Sequence, residues 1–256
     1  VVTGVLYNAV QPTPRFSAVP GLPGNKVLSG IKTREHKGNG YNELLLDDTR
    51  GSPRARLATT HHATALNLGR LTTPRENGKA QPLGNGVELR TDAAIAVRAA
   101  QGLLLTANAK HRAEDNQLER SELLRLLTQC AELFASLGQT ASARGAQPLD
   151  QSGIEGLRRA LDQWPAPDSN SKGEPVIAFT GEAGMVSATP GSQAHYAGAN
   201  HDTTAQDHLH LTSGAGMHFN AGAGLCAFAQ DEGITAIANR GKVLVQAQEN
   251  DIALNA

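Results

Sequence analysis

The chain has 256 residues, of which 4% are aromatic and 27 are glycine, so its composition suits a narrow core and excludes a thick globular one. The net charge of −1 gives no basic field for nucleic acid. With two cysteines there is no disulfide framework, and Cys130 and Cys226 are expected to be unpaired thiols, as in a reducing compartment. The sequence shows no signal peptide and no transmembrane run.

Residues 1–28 are predicted to end one domain and to link it to the next. Val1–Asn8 alternates between apolar and other side chains, which indicates a strand. Gln11–Asn25 then contains four prolines and two glycines, which is the composition of an extended linker.

Residues 29–110 are predicted to form a first β-helical stalk segment. From residue 87 onward apolar residues lie at every second position, and the set recurs every eight residues. Alternation indicates strands, because successive side chains point to opposite faces. A fixed repeat of strands indicates a solenoid or prism whose units bury their apolar faces by stacking.

Residues 111–172 are predicted to be a helical hairpin and linker inserted into this repeat, starting near His111. The first helix is predicted to stop at Gly138, and the second to begin with a capping box of Ser152 and Glu155 and to end at Pro165. Each helix is predicted to carry one apolar stripe, and the two stripes are expected to pack on each other or on the needle. The stripe residues are Leu123, Leu127, Phe134, Leu137, Ile154, Leu157, Leu161 and Trp164.

Residues 173–256 are predicted to form a repetitive β-prism needle. From residue 209 the apolar columns recur at spacings of 8, 8, 9, 9 and 9 residues, with glycine-rich corners between the strands. An eight-residue unit supplies one strand and one corner, roughly one side of a prism at ~3.3 Å per residue. Three chains would supply three sides, and closure would pair the strand edges. The predicted trimer core consists of Val87, Leu89, Ile95, Val97, Leu103, Leu105, Leu209, Leu211, Met217, Phe219, Leu225, Ile234, Val243, Val245, Ile252 and Leu254.

The fold class predicted from these patterns is mainly β, a trimeric intertwined β-helix or β-prism needle with an inserted α-helical hairpin. Four stretches carry a family resemblance: 29–34 (SGIKTR), 37–48 (KGNGYNELLLDD), 184–190 (GMVSATP) and 207–214 (DHLHLTSG). In combination they resemble VgrG spike proteins of the bacterial type VI secretion system, over nearly the whole chain.

The resemblance implies a homotrimeric spike at the tip of a contractile injection machine, with residues 1–28 ending an OB-like domain. The implied partners are a tube protein at a base that lies outside this chain, a cone protein that caps the tip, effectors or their adaptors, and the target membrane. The implied localisation is the bacterial cytoplasm during assembly and then the target cell.

Inside the needle, the inward columns become polar when they are extended back by eights. They place Gln193, His195 and His201 on the axis, where ordered water, an anion or a metal ion could satisfy them. His208, His210 and His218 have the opposite parity and are expected to form a solvated outer face. No cofactor is predicted, and neither the adjacent carboxylates nor the short basic run at Lys32 predicts a catalytic or partner site.

The function predicted from the sequence is therefore a structural spike that punctures membranes and carries effectors, not an enzyme. The alternative is a β-solenoid carbohydrate-active enzyme or adhesin of the tailspike type. That class needs paired carboxylates in a groove and usually exposed aromatic side chains, whereas the one tryptophan, Trp164, falls on a predicted helix stripe.

Overall fold

The computed structural model describes residues 14–16, 23–110, 116–164 and 173–254. It divides into two compact units, Val1–Val97 and Arg98–Ala256. The predicted strand at Val1–Asn8, the predicted start of the insertion near His111 and the predicted stop at Pro165 lie outside the described residues. Most of the predicted linker Gln11–Asn25 also lies outside them.

The first unit contains a five-stranded antiparallel sheet in which each strand pairs with the next along the chain. Its strands are β1 (Leu28–Lys32), β2 (Asn42–Asp47), β3 (Arg54–Thr59), β4 (Ala65–Thr72) and β5 (Pro82–Arg90). Glycine is required in β1, where Gly30 has a φ of 149° and an added Cβ would lie 1.9 Å from the carbonyl oxygen of Leu44. A larger residue at position 30 would therefore clash with the backbone of the neighbouring strand β2.

The second unit begins with a two-stranded parallel pair, β6 (Leu103–Thr106) and β7 (Ile177–Thr180). Between these strands the chain forms α1 (Ser121–Ala143) and α2 (Ser152–Asp162). After β7, residues 181–254 form no helix or strand, and bends recur at 182–183, 190–191, 198–199, 206–207, 214–215, 222–223, 230–232, 239–241 and 248–250. Within 181–254 no strand pairs with another described part of the chain.

The ends of both helices differ from the predicted ones. α1 continues through Gly138, so the predicted stop is wrong; Gly138 is buried where a Cβ would lie 3.3 Å from Leu149. The helix ends at Ala143, and Gly145, with a φ of 84°, adopts the left-handed conformation that closes a helix C-terminus. Its amide donates to the Ser142 carbonyl at 3.0 Å.

The predicted capping box of α2 is also wrong. Ser152 is the first helical residue, and the N-cap position is occupied by Gln151, which makes no side-chain capping hydrogen bond. Instead the Ser152 amide donates to Oδ1 of Asp150 at 3.0 Å. The carboxylate two residues upstream replaces the predicted hydroxyl as acceptor for a free amide of the first turn.

A small apolar core fixes the helices to the parallel strands. It is built on Leu161, Trp164 and Ala178, and the partly buried side chains packed against it are Leu104, Leu118, Leu123, Leu124, Leu127 and Val176. Trp164 donates its indole N–H to the Glu174 carbonyl at 3.0 Å. Arg120 donates to the carbonyl oxygen of Leu161 and lies 5.9 Å from the Trp164 ring, so the polar groups of this core are paired. Among the helices that the structure describes, none has the length and apolarity needed to cross a bilayer.

Candidate functional site

The sheet of the first unit buries a polar face and exposes an apolar one. Glu43 and Asp47 are 2% and 1% exposed, whereas Leu57 and Val87, which point to the opposite side, are 58% and 72% exposed. Side chains of a strand alternate between the two faces, so the exposed set forms one continuous surface. This apolar sheet face consists of Ile31, Leu44, Leu46, Leu57, Leu68, Val87 and Leu89.

The polar face is held together by ion pairs between neighbouring strands and loops. Nε of Arg75 donates to Oδ2 of Asp47 at 2.6 Å, and a terminal nitrogen of Arg54 lies 4.0 Å from the same oxygen. Arg56 pairs with the buried Glu43. Burial lowers the pKa of the Arg54 guanidinium, and the charge of Asp47 opposes this shift. Because Asp47 and Glu43 are paired with arginines within the chain, the apolar sheet face is the face of this sheet that is left uncovered.

The predicted needle, in the second unit, carries the second uncovered apolar surface. In the single chain the predicted core side chains within 209–254 are all exposed, from 45% at Met217 to 92% at Leu254. The bends fall between them at intervals of mostly eight residues, where the sequence predicts corners. Their assignment to a trimer core stays a prediction, because one chain contains no partner to cover them.

The loop between the helices distinguishes the two sides of the needle. Oδ2 of Asp150 accepts a hydrogen bond from the Asn200 side-chain amide at 2.9 Å, and a Cβ on Gly153 would lie 2.9 Å from the Asp202 carboxylate. Hydrogen bonds from Asn200 and Ser152 lower the pKa of Asp150 to about 2. Asn200 and Asp202 therefore face the helices, and residues of the opposite parity face away from them.

The predicted axial histidines, His195 and His201, are neighbours in the single chain. The rings of His195 and His201 are 6.3 Å apart between centroids, and Nε2 of Gln193 lies 2.9 Å from Nε2 of His195. The rings of His208 and His210, with the opposite parity, are 5.7 Å apart. Within the described part of one chain, no three His, Cys, Asp or Glu side chains cluster as a metal site. The axial role of these histidines stays a prediction.

The predicted helix stripes are partly covered in the single chain. Ile154, Leu161 and Trp164 are buried, whereas Leu137 and Leu157 are about half exposed. Leu123, Leu127 and Phe134 are intermediate. Cys130 and Cys226 are both free thiols, as expected.

Sequence reasoning did not identify the apolar sheet face beyond Val87 and Leu89. The signal is present in β2, where Glu43, Leu45 and Asp47 alternate with Leu44 and Leu46. Asp47 is buried at the end of β2, whereas the adjacent Asp48 is exposed. In an ordinary half-buried strand the apolar side chains are buried and the charged ones are exposed. The strand β2 shows the reverse, and this reversal indicates an interface.

Comparison with known proteins shows likenesses over the whole chain. The family model described as the putative type VI secretion system Rhs element Vgr matches residues 34–141, and the model described as an uncharacterized protein conserved in bacteria (DUF2345) matches residues 166–256. The type VI secretion system spike proteins VgrG2b and VgrG2a of Pseudomonas aeruginosa are each 39% identical to the chain over 261 residues. The matches cover 100% of this chain but only 25% of VgrG2b and 30% of VgrG2a.

Two solved structures have the same fold. The VgrG spike from the type 6 secretion system has a TM-score of 0.77, over 89% of this chain and 81% of that chain. A structure of the Tle1 effector bound to the VgrG spike has a TM-score of 0.78, over 90% of this chain and 66% of that chain. Both are 24% identical in sequence, so the likeness is one of fold. It confirms the predicted mainly β class.

Proposed function

We propose a structural function for this chain, on the premise that it belongs to the VgrG family of type VI secretion spike proteins. In this proposal three copies assemble into an intertwined β-prism that forms the shaft of the spike. The observation that carries it is the row of apolar side chains that each unit leaves uncovered. Large exposed apolar surfaces are rare on monomeric proteins and indicate an interface.

The backbone of the needle supports the same proposal. Within residues 181–254 no described strand is paired in the single chain. Backbone amides and carbonyls that leave water need partners, and unpaired strand edges associate readily. A second and a third copy would pair these edges and cover the apolar columns in one step. An assembly of this kind makes the stability of each chain depend on the concentration of its partners.

The reversed polarity of the sheet in the first unit supports association through this unit as well. Its ion-paired face is covered within the chain, so the face with Leu57 and Val87 is the one available to other copies. Val87 and Leu89 also open the predicted octad columns. We therefore include the whole apolar sheet face in the proposed interface, together with the predicted trimer core.

The proposed cellular role is mechanical. The spike would carry effectors or their adaptors, receive a tube protein through a base outside this chain and a cone protein at its tip, and puncture the target membrane. It would be assembled in the bacterial cytoplasm and then injected. The names of the relatives as spike proteins support a mechanical role over an enzymatic one, and the Tle1-bound neighbour supports effector carriage.

The domain boundaries remain part of the proposal: the end of an OB-like domain plus a linker at 1–28, a first β-helical stalk segment at 29–110, a helical hairpin insertion and linker at 111–172, and a repetitive β-prism needle at 173–256. The hairpin would lie along the shaft, in keeping with the hydrogen bond between Asp150 and Asn200. Deletion of Ala113–Trp164 tests a further role in cargo docking, because unchanged effector loading would contradict it.

The primary test is the molar mass of the chain by light scattering at micromolar and lower concentrations. We expect the mass of three chains, held on dilution. A folded monomer would overturn the proposal, because the apolar columns would then be covered within one chain.

A further inference from the structure

We propose that the polar segment of the needle binds one divalent transition-metal ion per trimer through imidazole ligands. The polar segment is defined as Ser187, Gln193, His195, His201 and Thr203. The inference rests on the trimer proposed above, because the polar segment of one chain contributes two imidazoles.

The first step places these side chains on the axis. Counting back in eights from the apolar columns at Leu209 and Leu211 gives His201 and Thr203, and then Gln193 and His195. The structure gives independent support for this parity, because Asn200 donates to Asp150 before α2 and Asp202 lies beside Gly153 in the first turn of α2. Alternation along a strand then directs the side chain between them, that of His201, away from the helices.

The second step concerns the state of the ring. The side-chain nitrogen of Gln193 lies 2.9 Å from Nε2 of His195 and 3.2 Å from the hydroxyl of Ser187. An amide nitrogen carries two hydrogens and accepts none, so Nε2 of His195 is the acceptor in this contact. In this contact the lone pair on Nε2 is engaged by the Gln193 amide, so a metal ion that binds His195 through Nε2 would take the place of that amide.

The third step is symmetry. A threefold axis converts one inward histidine into three imidazoles, which is the ligand set of many zinc sites with one open position. The neighbouring His201 ring, 6.3 Å from His195 between centroids, brings a second set of three to the same stretch of axis. Imidazole nitrogens suit zinc, nickel, copper and cobalt, and not calcium or magnesium.

The fourth step is the environment. After residue 205 the inward columns become apolar, beginning with Leu209 and Leu211. Six imidazoles enclosed next to an apolar axis need partners for their nitrogens, because buried polar groups without hydrogen bonds are costly. A metal ion satisfies three or more of them at once. Ordered water alone is the competing occupant.

The experiment uses the tag-free chain, stripped of metal with a chelator and then titrated with Co²⁺, which reports imidazole coordination through its visible d–d absorption. We expect saturation at one ion per three chains and displacement by Zn²⁺. His195→Ala and His201→Ala should each weaken binding by about tenfold or more. His208→Ala, on the outward face, is the matched control and should leave binding unchanged.

Light scattering on the same samples separates the two proposals. A stable trimer that gives no Co²⁺ spectrum, or one whose spectrum survives both axial substitutions, would overturn the metal site and leave the spike function intact. A loss of binding in His208→Ala alone would also overturn it, because the outward histidines would then be the ligands. A monomer would overturn the proposed function itself.

Discussion

Two isoleucines three residues apart give the sharpest test of the proposed interface. Ile234 lies in the predicted core and is 67% exposed in the single chain, whereas Ile237 has the opposite strand parity and is 85% exposed. Full burial of an isoleucine contributes about 1.5–3 kcal/mol. Coverage of the exposed two thirds of Ile234 would then contribute about 1–2 kcal/mol per chain, or about 3–6 kcal/mol per trimer.

Ile234→Asp removes this contribution and also brings three carboxylates together in an apolar interior, which adds to the loss. We expect the variant to dissociate on dilution at concentrations where the unmodified chain keeps the mass of three chains in light scattering. Ile237→Asp makes the same chemical change on the outward face and should remain trimeric. If Ile237→Asp dissociated and Ile234→Asp did not, the predicted register of the nine-residue units would be wrong. If neither dissociated, the apolar columns would not be the interface.

Three further predictions concern the stability of the chain itself. Asp47→Ala leaves Arg75 and Arg54 without their buried partner and should lower the free energy of unfolding by about 3–5 kcal/mol in urea titrations, whereas Asp48→Ala, at an exposed carboxylate, should change it by about 0.5 kcal/mol or less. Trp164→Phe leaves a carbonyl without the indole N–H and should cost about 1–3 kcal/mol, measured by circular dichroism during urea unfolding. The lowered pKa of Asp150 means that its contact with Asn200 stabilises the fold above the ordinary value of 3.8 and is lost as the pH falls through about 2. Asn200→Ala should therefore raise the midpoint of the Asp150 carboxyl in an NMR pH titration, and an unchanged midpoint would show that the contact does not form in solution.

The repeat of the needle was predictable because its signal is local. Alternation and corners at fixed spacing depend on residues only a few positions apart, and the bends recur at mostly eight-residue intervals as the sequence predicts. The existence of both helices was predictable for the same reason. Their ends were not, because Gly138 is retained inside α1 by its close packing on Leu149, and this contact depends on the return of the chain after the helix.

The ionic face of the first unit was not predictable from local pattern. Arg75 is 28 residues from Asp47, and it reaches the carboxylate from a loop after β4. In the sequence the same aspartate belongs to a polar stretch that indicates a turn, and nothing nearby shows that it is buried. Burial of charge depends on a partner brought by tertiary folding, and a single sequence does not locate such a partner.

The buried ion pairs of the sheet also explain how the pairing register of its strands is specified, although one small apolar residue could replace another at little cost. A slip of one residue in β2 would turn Leu44 and Leu46 toward the arginines of β3 and expose Glu43 and Asp47. Many small apolar residues could exchange places in the columns at little cost, whereas buried guanidinium groups that lose their carboxylates could not. The ion pairs thus select one register within the chain, and that register decides which leucines would face the other copies in the proposed trimer. The polar face would thus contribute to the proposed assembly by fixing the register of the apolar sheet face on the opposite side of the same sheet.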